Sequence, residues 1–236
     1  MRVDVFSIMY NEEEILPYFL RHYETFADRI FIFDNHSTDR TVAIAMACPK
    51  VTVLPYPYRR GIYEEDFSEC FQNAYKEHSR GKADWVMCVD ADEFIYHKNI
   101  KEFLALQTRA GRKILRLRGF DMVCDRFPTT KGQIYDECKL GTPNTIYNKM
   151  IVLNPELDVV FGQGRHKIEL IKGIDISKVD LLLLHYKYLS KEFFTRRSST
   201  LLDRKGFNER RARHGLRRGL NKFTEDFKRY LVEVIK

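Results

Sequence analysis

The sequence has no apolar run near the roughly 20 residues that span a bilayer. Its longest, around residues 181–184, is the size of a strand, so no membrane-spanning helix is expected. The five cysteines (Cys48, Cys70, Cys88, Cys124 and Cys138) contain no C-x-x-C pair. Neither a zinc site nor a disulfide framework is expected, and they read as buried or idle thiols of a reducing compartment. The first residues lack the charged flank, long apolar stretch and cleavage site of a secretory signal, so a cytoplasmic location is expected. Internal repeats and low-complexity linkers are missing too, which leaves one domain with an appendage.

What is present is an ordinary globular composition, with 44% hydrophobic and 31% charged residues in a chain of 236. The net charge of +7 is unevenly placed. From Lys191 onward there are 14 Lys and Arg against 6 Asp and Glu, and the rest of the chain is close to neutral. The expected division is a domain over residues 1–190 and a basic tail over 191–236. In the tail, Leu220, Phe223, Phe227, Tyr230, Leu231 and Val234 form one apolar helical stripe. Such a tail points to an anionic partner: a membrane face, which would make the protein peripheral at the inner surface, or a phosphate-bearing acceptor. Nucleic acid is not expected, because no binding fold or base-stacking motif accompanies the charge.

Short apolar runs alternate with helical periodicity over the first 95 residues. Val3 to Met9 reads as a buried strand, and Asn11 with Glu14 resembles a capping box for the helix after it. Strands are expected over residues 29–33, 51–54 and 85–89, with helices over 42–47 and 65–78; Ser37 or Thr38 would cap the first of these. This is the pattern of βαβ units on a parallel sheet. Further on, residues 100–106 read as a helix, 113–118, 149–153, 159–161 and 181–184 as strands, and 119–144 as loop-rich.

In an open α/β sheet, ligands bind beyond the carboxyl ends of the strands. Three of those ends carry polar groups: Tyr10-Asn11, Asp34-Asn35 and Asp90-Ala91-Asp92-Glu93. Carboxylates crowded at one strand end repel unless a cation stands nearby, and Asp90 and Asp92 offer oxygens to a hard ion such as Mn²⁺ or Mg²⁺. His185, closing the apolar run at 181–184, is a further candidate ligand, and Arg59-Arg60 after the third strand a candidate for an anion.

The order Tyr10-Asn11-Glu12, then Asp34-Asn35-His36-Ser37-Thr38-Asp39-Arg40-Thr41, then Asp90-Ala91-Asp92-Glu93-Phe94 resembles family 2 of the GT-A glycosyltransferases. The Glu-Phe after the acidic motif is similar to a small bacterial subgroup. The likeness is specific over about residues 3–95 and weak beyond, and Asn35 stands where the family often has a second Asp. It implies a Rossmann-like, mostly parallel sheet flanked by helices, with a donor-binding half at 1–95 and an acceptor half at 96–190. It also implies transfer from a nucleotide-sugar to a glycan or lipid-linked acceptor, with inversion, in bacterial surface polysaccharide synthesis. By the same resemblance Tyr10, Asn11, Asp34, Arg60 and Asp90 would meet the nucleotide, and Asp90, Asp92 and His185 the metal.

An inverting transferase needs a base for the acceptor hydroxyl. The Glu-Asp pair of the family is not found, and the candidates are Asp136, Glu137, His166 and Glu169. Three other classes compete. A phosphohydrolase of the haloacid-dehalogenase type wants Asp-x-Asp-x-Thr or Val on the first strand, whereas here the motif is on the fourth and Phe94 holds that last place. A nucleotidyltransferase wants a Gly-rich loop with Arg after the first strand, which is absent. A non-catalytic carbohydrate- or membrane-binding module would need no base.

Overall fold

The computed structural model describes residues 1–59, 61, 63–169, 176–202 and 209–235. Val3–Met9, strand β1, is buried along its whole length at the centre of the sheet. A strand covered on both faces needs no polar side, which is why it reads as an unbroken apolar run. Its one charge, Asp4, is met by Arg29 Nε at 3.0 Å and Ser79 Oγ at 2.6 Å. Strands β2 (Arg29–Asp34), β3 (Val51–Pro55) and β4 (Trp85–Cys88) extend the sheet in parallel order β3-β2-β1-β4. Met9 stands level with Asp34, and Phe6 with Cys88, so the three polar strand ends share one edge. The crossovers are α1 (Leu16–Tyr23), α2 (Thr41–Met46) and α3 (Glu64–Ser79), at the predicted positions.

The second half adds β5 (Glu93–Tyr96), α4 (Ile100–Arg109), β6 (Ile114–Val123), α5 (Ile134–Glu137), β7 (Leu140–Pro143) and β8 (Val152–Leu153). A hairpin of β9 (Val160–Phe161) and β10 (Ile168–Glu169) precedes the long strand β11 (Ser177–Tyr188). The helices α6 (Lys191–Leu202), α7 (Glu209–Leu220) and α8 (Glu225–Lys228) and the strand β12 (Val232–Glu233) end the described chain. The expected α/β class, with helices flanking a largely parallel centre, is borne out. Beyond β4 the sheet is mixed: β8 and β7 run antiparallel to β6, whereas β11 lies parallel to β6 and antiparallel to β5.

Several local expectations need correction. The predicted capping box does not form: α1 is capped by Ile15 without a side-chain bond, because Asn11 and Glu14 bond elsewhere, to Thr38 and Arg196. Neither Ser37 nor Thr38 caps α2, whose N-cap is Arg40. The loop-rich reading of 119–144 misses the continuation of β6 to Val123 and the strand β7. Cys124 and Cys138 are paired as a disulfide, with Cα atoms 5.6 Å apart, so the idle-thiol reading holds only for Cys48, Cys70 and Cys88. No motif joins the pair; the reversal that lays β7 on β6 brings them together.

The tail is not one amphipathic helix. Its stripe is broken among the end of α7, a 3-10 turn, α8 and β12, and β12 adds to the sheet beside β7. Phe194 of α6 packs on Tyr188 and Phe223, and Ile235 is buried in the core, so much of the tail docks on the domain. Among the described residues, no helix is long and apolar enough to cross a membrane.

Candidate active site

The first two polar strand ends are zipped together. Asn11 adopts a left-handed turn (φ 52°), which aims its side-chain oxygen at the Thr38 N–H, 2.7 Å away. The Asn11, Glu12 and Glu13 N–H groups donate to Ser37 Oγ (3.1 Å), Thr41 Oγ1 (2.8 Å) and Asp39 Oδ2 (3.1 Å). Ser37 N–H donates in turn to Asp34 Oδ1 at 3.1 Å. Segment 37–41 therefore serves the turn at 10–13 more than its own helix, and Tyr10, Asn11 and Asp34 are held on one edge.

The third strand end carries two buried charge networks. In the first, Asp92 accepts from Arg197 NH1 and stands 3.5 Å from His185 Nε2. The Nδ1 of His185 lies 3.1 Å from Asp121 Oδ1, and Lys222 and Asn144 reach the other Asp121 oxygen at 3.3 and 3.0 Å. Arg197 also forks onto Glu12, at 3.2 and 2.6 Å. The sheet imposes this contact, since His185 on β11 lies in register between Glu93 of β5 and Asp121 of β6. Tyr147 stacks on the His185 ring at 4.0 Å. Gly119 permits that approach, because a Cβ there would stand 2.5 Å from the Tyr147 carbonyl carbon.

In the second network Lys149, 2% exposed, bonds Glu93, 1% exposed, at 2.6 Å. Glu93 also accepts from the Asp90 N–H at 3.1 Å. Arg165, in left-handed backbone after Gly164, lies 2.6 Å from Asp90 Oδ1 and over the Phe71 ring at 4.4 Å. Glu93 is thus a structural carboxylate, and Asp90, its side chain 40% exposed, is the more open of the two.

These cations answer the repulsion expected of crowded carboxylates, and they do so with protein groups. Burial pushes Asp92 up, but Arg197 and His185 outweigh it and hold the carboxyl well below the usual range. Desolvation likewise raises Asp90, and Arg165 and Lys149 bring it down. Burial opposes charge on His185, yet Asp92 and Asp121 lift it to about 9. For Glu12, burial prevails over Arg197 and pushes the carboxyl up to about 7. Among the described residues, no group of three or more His, Cys, Asp or Glu could by itself hold a metal ion.

Of the residues singled out from sequence, Asp92 and His185 meet directly, and Asp90 stands on the same strand end. Tyr10 and Asn11 line a cavity of about 210 Å³ that Arg197 also lines. Arg60 lies outside the described residues, while Arg59 is bound to Asp66 at 2.8 Å and to Glu65 at 3.1 Å. Asp136 and Glu137 are drawn away from the site. Asp136 closes a capping box with Gln133, Glu137 accepts from the Thr129 N–H, and their loop packs on α1 through Tyr18 and Arg21. Glu169 is exposed on the β9–β10 hairpin. His166 stays close to the site, edge-on to Tyr147 at 5.7 Å.

The pattern of sequence missed Glu12, Asp121, Lys149, Arg165 and Arg197. For Asp121 and Lys149 a signal existed: a charge set directly against a short apolar run, as with Asp4, marks a buried pair. For Arg197 none did, since nothing distinguishes it within a run of basic residues.

A family model described as glycosyl transferase family 2 matches residues 4–154. No curated protein matches the chain. Among solved structures, the crystal structure of S. aureus TarS is 16% identical, with a TM-score of 0.51, covering 95% of this chain and 44% of that one. A crystal structure of S. aureus TarS 1–349 is 15% identical, with a TM-score of 0.53, covering 94% of this chain and 71% of that one. The chain thus spans less than half of the longer TarS chain, and at these identities the likeness is one of fold, the GT-A fold. The family match runs from β1 to the end of strand β8, through every strand end that carries Tyr10, Asp34, Asp90 and Asp92. On that span the chain belongs to glycosyl transferase family 2.

Proposed function

We propose that the chain transfers a sugar, with inversion, from a nucleoside-diphosphate donor to a glycan or lipid-linked acceptor in bacterial surface polysaccharide synthesis. The observation that carries this is the Asp92–His185–Asp121 relay at the edge where Tyr10 and Asp34 also stand. The nucleoside sits against Tyr10, Asn11 and Asp34 in the half at 1–95, and the acceptor enters over residues 96–190.

The donor set suits a divalent cation such as Mn²⁺ or Mg²⁺. Asp92 Oδ2 and His185 Nε2 are close enough to face a common ion, which would displace the proton that the neighbouring carboxylates favour on Nε2. The other ring nitrogen is oriented by a carboxylate, the usual support for a ligating imidazole. Two protein ligands leave room for phosphate and water, as hard cations of this kind prefer. Asp92 and His185 would hold the ion, with Asp90 beside it. Such a cation, when bound, offsets the charge gathering on the departing diphosphate.

Among the four base candidates His166 has the geometry for the part. Its Nδ1 lies 2.9 Å from the Ile146 carbonyl, so Nδ1–H donates and Nε2 keeps a free lone pair. Desolvation, and then repulsion from Lys149, lower its pKa, so the ring is neutral at pH 7 and able to accept a proton. Nε2 takes the acceptor hydroxyl proton as that oxygen bonds the anomeric carbon, and the bond to the diphosphate breaks on the opposite face.

The reading is tested by incubating the protein with a panel of nucleotide-sugars and candidate acceptors. Release of one nucleoside diphosphate, on addition of acceptor, is expected; no release with any donor contradicts it. With the active pair found, the rate holds below the ordinary histidine range and falls at lower pH as His166 takes a proton. His166→Gln is expected to lose about 10²–10⁴-fold and to lose that acid limb. An unaltered pH profile in the variant would remove His166 from the role.

A further inference from the structure

The carboxylates of this site are matched by cations from the chain: Glu12 and Asp92 by Arg197, Asp90 by Arg165, Glu93 by Lys149, Asp121 by Lys222. Lys149 and Arg165 are each 2% exposed and sit within the sheet domain, whereas Arg197 and Lys222 reach in from the tail and are each 21% exposed; of these two, Arg197 is the one that bonds Asp92. It spans two strand ends, Glu12 after β1 and Asp92 after β4.

The oxygen it takes on Asp92 is Oδ2, the same one that faces His185 Nε2. A guanidinium and a divalent cation cannot both occupy that oxygen, since they repel and want the same lone pairs. Nor can Arg197 leave without cost, because a buried guanidinium needs an anion. The diphosphate of a donor is such an anion, and its planar fork suits phosphate oxygens well. The cavity of about 210 Å³ between the 10–15 turn and α6 lies against Arg197 and gives the side chain somewhere to turn.

We propose that Arg197 is a counter-ion that competes with the cation for Asp92, holding that carboxylate until cation and diphosphate arrive together and then passing to the diphosphate. This rests on the transferase reading above. The consequence is coupling. A cation alone is resisted, because it drives Arg197 off Asp92 and leaves Glu12 to balance the guanidinium, and a diphosphate alone finds Arg197 engaged. Each ligand clears the way for the other, and the effect must be reciprocal. The basic tail thereby acquires a task, since α6 carries the side chain that registers whether the donor is present. Arg196, on the same helix as Arg197, bonds Glu14 of the turn before α1 and anchors α6.

The test is calorimetry and Mn²⁺ paramagnetic resonance on the full chain, comparing wild type, Arg197→Gln and Arg197→Lys, with circular dichroism confirming that each is folded. Two titrations are made: Mn²⁺ alone, and UDP, GDP, CDP or dTDP in saturating Mn²⁺. Arg197→Gln is expected to bind Mn²⁺ alone about tenfold more tightly and the nucleoside diphosphate about tenfold or more weakly. Arg197→Lys keeps the charge but not the fork, and should fall between. Opposite signs are the signature; a merely structural arginine would weaken both or neither, and either result overturns the proposal. If wild type binds none of the four nucleotides, the transferase reading fails. The Mn²⁺ titration still judges Arg197 in that case, since unchanged Mn²⁺ affinity in Arg197→Gln would show that it does not compete for Asp92.

Discussion

Asp92→Asn is expected to lower kcat/KM by about 10³-fold while the protein stays folded. The size follows from losing a preorganised group that faces charge developing in the transition state. Asp92 is the junction of the first network: it bonds Arg197, faces His185, and through His185 is tied to Asp121. An asparagine keeps the shape but carries no charge, so it neither anchors a cation nor balances Arg197 and His185. Steady-state kinetics on the donor and acceptor pair, beside a circular dichroism spectrum, checks this. Asp136→Asn is the control, because Asp136 serves only the α5 capping box, and its turnover should match wild type. Equal losses in both variants would mean that the chemistry is not at the end of β4.

The second large effect is on stability. Lys149→Met should cost about 3–5 kcal/mol, because it leaves Glu93 charged and buried with Arg165 3.6 Å away and the Asp90 N–H in place of its close ammonium partner. Against a total of about 5–15 kcal/mol, that is enough to unfold a large share of the molecules near physiological temperature. The double variant Lys149→Met, Glu93→Gln should recover about 1–3 kcal/mol of the loss, since it removes the stranded charge along with its partner. Urea denaturation of wild type, Lys149→Met, Glu93→Gln and the double variant checks both numbers. A single variant as stable as wild type, or a double variant that sums the two losses, would contradict the buried-pair account.

These two residues also mark how far the sequence was legible. Asp92 stands in a motif at the end of a strand-sized apolar run, where spacing alone places it at the ligand edge. Val3–Met9 and the run over 29–33 were legible for the same reason, since a parallel strand buried on both faces has a plain signature, while 51–54, half-exposed at the sheet edge, was legible from its β-branched residues. Lys149 was not legible as Glu93's partner, because the two are 56 residues apart and meet only when the sheet is assembled. Arg197 meets Asp92 across 105 residues in the same way. The tail was misread for a related cause: its apolar residues do recur at helical spacing, but docking against the domain and pairing with β7 override that local preference. The likeness to family 2 located the donor edge, while the base candidates lay beyond the region where it was specific, and only His166 stands near the site once the chain is folded.

The most direct test of the central claim is thermal unfolding of wild type and Asp92→Ala with UDP, GDP, CDP and dTDP, each with and without Mn²⁺. A nucleoside diphosphate at about 100 times its dissociation constant should stabilise the fold by about 2.7 kcal/mol. The account predicts that one of the four does so in wild type, only with Mn²⁺, and not in Asp92→Ala. No stabilisation by any of them, or the same stabilisation in the variant, would contradict a donor site built on Asp92.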